Sequence, residues 1–355
     1  MRNISITLLL ILFPILCHAR SQEQYAPYPY DTIPLKVTND VLGIELAGTL
    51  TMPMQEKPRG VVIFISGSGD KDRDLSYGRH KPFRVLSDLL TMQGFSTFRL
   101  DDRGIGESQK ADSAGTTQGR ETDFYAAMKL LKQQPRLKDV PFGYFGHGEG
   151  GAIALKLLKD SPSPDFLITY GSPLTSGQEM MLNQMKKMID EAGQSSAWPY
   201  YEPMLRKRYA MVASDISDEE LKEALRKDML KAIPEQSRTA QIMEQVNSEV
   251  ERMSTPWYRN FMRYQPDAYM EGMTIPWLIL QGENDMEVPP SNNKIPAEIL
   301  NKSNITSMVI PGLNHIMQKA YNGATEYYNV FEETVNPLVT DTLLEWFGTN
   351  RQLFR

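Results

Sequence analysis

The sequence predicts an α/β protein with a mostly parallel central sheet, helices on both faces and one helical insertion. Three observations carry this reading. Short continuous apolar runs recur along the chain, they alternate with segments of helical period, and the alternation stops for about a hundred residues between Ser172 and Met273. The 355 residues, 41% of them apolar, suffice for one large domain carrying an insertion.

Residues 1–24 read MRNISITLLLILFPILCHARSQEQ. One positive charge at Arg2, an apolar run from Ile6 to Leu16 and the small-x-small Cys17-His18-Ala19 predict a signal peptide over 1–19, too short for a stable membrane span. The expected destination is the periplasm or the exterior. A lipoprotein anchor on Cys17 is the competing reading, and the large Leu16 before it argues against that. Cleavage after Ala19 removes the single cysteine, and with it any disulfide, thiolate nucleophile or cysteine metal site. It also removes Arg2, taking the formal charge from −6 to −7. No basic cluster suggests nucleic acid.

Ser21 to Tyr30 is polar and rich in Pro and Tyr, a surface arm. Leu35–Thr38 and Ile44–Met52 alternate as a hairpin, with Asn39-Asp40 near its turn. Val61–Ile65 is a continuous apolar run of the kind buried parallel strands show, as are Phe95–Leu100, Phe142–Phe145, Phe166–Tyr170, Trp277–Leu280 and Ile305–Ile310. Pro82–Met92 and Asp123–Gln133 have helical period. The core therefore spans 20–172 and 274–355, and 173–273 is a helical cap. Within the cap, Ser217 and Glu220 form a capping box ahead of Leu221, Leu225, Met229 and Ala232 at helical spacing. The cap holds 12 of the 20 methionines. Methionine suits both an irregular helical core, the default use, and an acyl-binding groove.

The chemistry centres on YFGHGEGGAIAL, residues 144–155. A strand, a glycine-spaced turn and an apolar helix frame a nucleophile elbow, G-x-S-x-G, in which the third position is Gly148. Glu149 N–H and an N–H of Gly67 or Ser68, in the loop after the Val61 strand, would form an oxyanion hole. Asp285 follows one later strand and His315 the next, the order nucleophile, acid, histidine expected of such a site.

These stretches, together with "GIELAGTLTMP", "SGSGDKDRD", "RLDDRGIGES", "TPWYRNF", "LQGENDMEVPP" and "PGLNH", resemble the α/β-hydrolase superfamily, most closely the secreted bacterial EstD-like esterases. The resemblance runs from about Ile44 to Phe347. It implies hydrolysis of carboxylic esters, with Asp285 and His315 as triad members acting on a small-molecule ester or acyl ligand. Where that family's elbow reads G-H-S-x-G-G, this chain has Gly148.

Loss of that hydroxyl removes covalent catalysis, a change worth roughly a million-fold in kcat when a serine protease loses its nucleophile. Three readings follow: an impaired or inactive serine esterase, a hydrolase in which His315 and Asp285 activate water, and a non-enzymatic binding protein on the same fold. Ser66, Ser68, Ser172 and the Glu149 carboxylate are the other candidate nucleophiles. The "DDRGIGES" loop lacks a P-loop ending and reads as an Asp–Arg brace, and "DRD" at 72–74 lacks metal-ligand spacing. No cofactor or metal is expected, and the sequence sets no oligomeric state.

Overall fold

The computed structural model describes residues 22–54, 57–111, 117–159, 164–293, 295, 302 and 304–355. The leader over 1–19 lies outside the described residues. Eight strands form one sheet in the order β1-β2-β4-β3-β5-β6-β7-β8. They are β1 (Asp31–Asn39), β2 (Ile44–Met52), β3 (Val61–Ile65), β4 (Ser96–Leu100), β5 (Phe142–His147), β6 (Phe166–Tyr170), β7 (Trp277–Gly282) and β8 (Ile305–Ile310). The hairpin β1–β2 pairs antiparallel, and β2 meets β4 antiparallel. From β4 to β8 all neighbours are parallel.

The apolar runs become β3, β5, β6 and β7, buried along their whole length. Alternate residues face opposite sides, so each run feeds two cores. Ile63, Tyr144 and Leu167 point into one, and Phe64, Phe145 and Ile168 into the other. Ile305–Ile310 departs from its expected burial. It is the sheet's outer strand, with Met308 and Val309 42% and 47% exposed, because β7 is its one strand partner among the described residues.

Helix α1 (Pro82–Met92) begins with proline at its first position, where the missing N–H costs nothing. It is followed by α2 (Thr117–Lys132) and α3 (Glu149–Leu157). A closing helix, α10 (Pro337–Thr349), lies outside the segments that helical period marks. Asn336 caps it through Leu338 N at 3.0 Å, with Pro337 next in line. Val339, Leu343, Trp346 and Phe347 cover the second core beside Phe95 and Phe166.

Between β6 and β7 run six helices among the described residues: α4 (Gly177–Glu191), α5 (Trp198–Ala213), α6 (Asp218–Lys231), α7 (Ala240–Met253), α8 (Pro256–Met262) and α9 (Asp267–Met270). The capping box at the start of α6 is complete in both directions. Leu221, Leu225 and Met229 are buried in a cluster with Tyr209, Val250 and Met262, to which Val288 from the loop after β7 also belongs. Ala232 terminates the helix instead of extending its buried face.

Candidate active site

β5 ends at His147 and α3 begins at Glu149, so Gly148 alone makes the turn, at φ 55° and ψ −128°. Residues with a side chain rarely adopt that backbone conformation, and glycine enters it without steric cost. The turn is tight as well. A β-carbon on Gly150 would sit 2.1 Å from Ile65 O, so the helix can approach β3 only through glycine. A β-carbon on Gly148 itself would press on the histidine, 3.1 Å from His315 Nε2 and 3.3 Å from its Cε1, with Gly67 Cα at 3.6 Å, so the imidazole would have to give by a few tenths of an ångström. Gly67, Ser68, Gly148, Glu149 and His315 all border one cavity of about 480 Å³.

Asp285 and His315 meet although 30 residues apart, because the loops after adjacent strands β7 and β8 leave the sheet at the same edge. His315 Nδ1 is 2.8 Å from Asp285 Oδ2. Asp285 is fully buried, and its other oxygen accepts N–H bonds from Glu287 at 2.9 Å and Val288 at 2.8 Å. Gln281 donates to Oδ2 at 3.3 Å. The carboxylate is thus fixed on both sides, and it orients the imidazole with Nε2 toward Gly148. Burial opposes a charge on His315, but the carboxylates of Asp285 and Glu287 outweigh it and push the pKa up to about 9. The same carboxylates favour the imidazolium form of His315 at neutral pH.

Four groups near this pair escaped the sequence reading. Glu287 Oε2 lies 4.0 Å from His315 Nε2, while its Oε1 accepts from the Tyr328 hydroxyl at 2.7 Å. Lys71 places its ammonium 4.4 Å above the Tyr77 ring on the same cavity. His147 is buried beneath His315, their rings 4.4 Å apart, with Nε2 2.8 Å from His315 O. Burial and the nearby His315 charge hold His147 well below the usual histidine range, so it is neutral and donates that bond. Two signals existed: His147 is the second residue of the elbow, and Glu287 stands two beyond Asp285. For Tyr328, brought in by a distant loop, there was none.

The alternative nucleophiles are committed elsewhere. Ser66 Oγ accepts from Arg120 at 2.6 Å and donates to Asp102 at 3.1 Å. Ser172 Oγ donates to Gly146 O and Tyr170 O, both at 3.3 Å. Glu149 reaches the cap, where Trp257 Nε1 donates to its two oxygens at 2.9 and 3.1 Å. Ser68 is exposed at the cavity edge. The "DDRGIGES" loop is an ion-pair brace, in which Asp101 takes Arg73, Asp102 takes Arg120 and Arg103 takes Asp123. Asp74 of "DRD" pairs with the buried Arg99, and no cluster of three His, Cys, Asp or Glu suited to a metal occurs among the described residues. Of the cap residues, Trp257 and Phe261 stack 5.4 Å apart along the cavity with Met180 and Met181, and Tyr258 packs inside the cap.

A mostly parallel eight-stranded sheet, a strand–turn–helix elbow and an acid–histidine pair at one sheet edge define an α/β hydrolase. Residues 56–319 match the family described as serine aminopeptidase, S33, and the chain belongs to it. Esterase EstD of Thermotoga maritima is 25% identical over 305 residues, 85% of this chain, and the match spans 65% of the relative's length. The monoglyceride lipase of Saccharomyces cerevisiae is 28% identical over 138 residues, 37% of this chain and 41% of the lipase. Among solved structures, an esterase from Pyrococcus furiosus superposes with a TM-score of 0.53 at 14% identity, over 90% of this chain and 91% of that one. No described helix is long and apolar enough to cross a membrane.

Proposed function

We propose that this chain is an exported α/β hydrolase of the esterase type in which Gly148 stands at the nucleophile position. It keeps a pocket for a small ester or acyl ligand and lacks the covalent step. The observation that carries this reading is the fit at the elbow. A β-carbon on Gly148 would lie 3.1 Å from His315 Nε2, so a serine hydroxyl there would fall within hydrogen-bond reach of a base already oriented by Asp285. The oxyanion hole of this reading uses Glu149 N–H with Gly67 or Ser68. The likeness to curated esterase and lipase relatives supports the ester or acyl class of ligand.

The test is hydrolysis of a short p-nitrophenyl ester by the mature protein, Gly148→Ser and Gly148→Ser/His315→Ala. A wild type near background, a gain on the order of a thousand-fold or more in Gly148→Ser, and its loss in the double variant are expected. A Gly148→Ser protein that folds and stays silent would sink the proposal.

A second reading, water activated by His315, is favoured by the unhindered Nε2. It requires the unprotonated imidazole, so its rate would rise with pH up to about 9. Unchanged residual hydrolysis in His315→Ala would exclude it.

A further inference from the structure

Removing a serine side chain does more than delete a nucleophile. It leaves His315, 4% exposed, with Nε2 turned to the cavity and making no hydrogen bond among the described residues. The nearest carboxylate oxygen, on Glu287, is 4.0 Å away. Across that position lies Glu149, first residue of α3, whose N–H precedes the helix ladder at the positive end of the helix dipole. Gly67 and Ser68 border the same space.

The geometry points to a binding site for an aliphatic carboxylate, the free acid rather than an ester. One oxygen takes the volume a serine side chain would fill and accepts from His315 Nε2–H, and the other accepts from the oxyanion-hole N–H groups. This rests on the reading that Gly148 occupies the nucleophile position.

Two cationic groups face the site. His315 is cationic at neutral pH, and Lys71 is in no ion pair among the described residues. The two cavity carboxylates keep their charge and are held by neutral donors, Glu287 by the Tyr328 hydroxyl and Glu149 by the Trp257 indole. His147 below is neutral, and Asp285 is spent on Nδ1. A neutral ester offers a charged donor only weak acceptors, whereas charge-assisted hydrogen bonds are about twice as strong as neutral ones. Met180, Met181, Trp257, Phe261 and Val288 give the apolar wall that an alkyl chain needs.

Hexanoate and methyl hexanoate, titrated calorimetrically at pH 7 into the mature protein, test this without any variant. Hexanoate is expected to bind at least tenfold tighter than its methyl ester. His315→Gln, which keeps a neutral donor, and Gly148→Ser, which fills the vacated volume, should each weaken hexanoate at least tenfold. Lys71→Met, which leaves the Asp285–His315 hydrogen bond in place, should weaken hexanoate severalfold and the ester by less. Equal affinity for acid and ester, or no hexanoate binding by folded wild type at millimolar concentration, overturns the proposal. The two ideas separate cleanly. An active Gly148→Ser with a wild type blind to hexanoate leaves the esterase ancestry of the site standing and removes the carboxylate site. A silent Gly148→Ser with hexanoate binding does the reverse.

Discussion

His315 shows how one residue can report on its whole surroundings. Asp285 and Glu287 face it from the loop after β7, Lys71 from the loop after β3, and His147 from β5. The net effect raises its pKa from 6.5 to about 9. Because the folded value is the higher one, the protonated form stabilises the fold. That contribution is fully present below about pH 6.5 and is lost as pH climbs toward 9. Thermal melts of the wild type should therefore fall across this window, and Asp285→Asn should flatten the fall. An undiminished slope in Asp285→Asn would mean that another group titrates there. His147 offers a second check at this scale. His147→Phe keeps the ring but removes the 2.8 Å bond that ties β5 to the His315 backbone. A cost of about 1–3 kcal/mol is expected for the carbonyl left unpaired, readable as a shifted urea midpoint.

At the scale of elements, local sequence was legible where local physics decides. The capping box at Ser217 and the buried face of α6 were readable from spacing alone. Ser217→Ala should cost the cap about 0.5–2 kcal/mol without altering the esterase activity of Gly148→Ser, which hydrogen exchange along α6 and a rate assay would show together. The turn at Gly148 was also legible, since a strand, spaced glycines and an apolar helix leave few other geometries. Asp285 and His315 could be placed because each follows an apolar run that becomes a parallel strand of the sheet. Burial of β8 was misjudged for the converse reason. Its apolar content was visible, but its place at the sheet edge is set by strand order, which single runs do not encode. Lys71, Tyr328 and the Trp257–Glu149 link depend on loops and cap helices folding over the site, and no spacing along the chain announces such contacts.

Three apolar clusters occur among the described residues, one on each face of the sheet and a third built by the helices between β6 and β7 together with Val288. Trp257 is a polar clasp between the cap and the elbow. Trp257→Phe keeps the aromatic stack on Phe261 and strips the N–H from the Glu149 carboxylate. Faster hydrogen exchange in α8, with the sheet unchanged, is the expected result; uniform loosening would mean that the cap and core melt as one. Export belongs to this scale too. The mature chain is expected to begin at Arg20, two residues before Gln22, whose side chain accepts from Thr334 N at 2.6 Å and Val335 N at 3.0 Å. Mass measurement of the protein from a periplasmic or culture fraction checks it directly, and a retained leader would refute it.

The glycine turn has one more consequence, for how such a protein is found at all. Fluorophosphonate reagents tag serine hydrolases by phosphonylating the elbow hydroxyl, and at φ 55° this elbow presents only a hydrogen. On the reading proposed above, a covalent inventory of serine hydrolases is expected to pass over this chain while labelling its Gly148→Ser counterpart, so a protein of this kind would be missed by the very chemistry used to count its relatives.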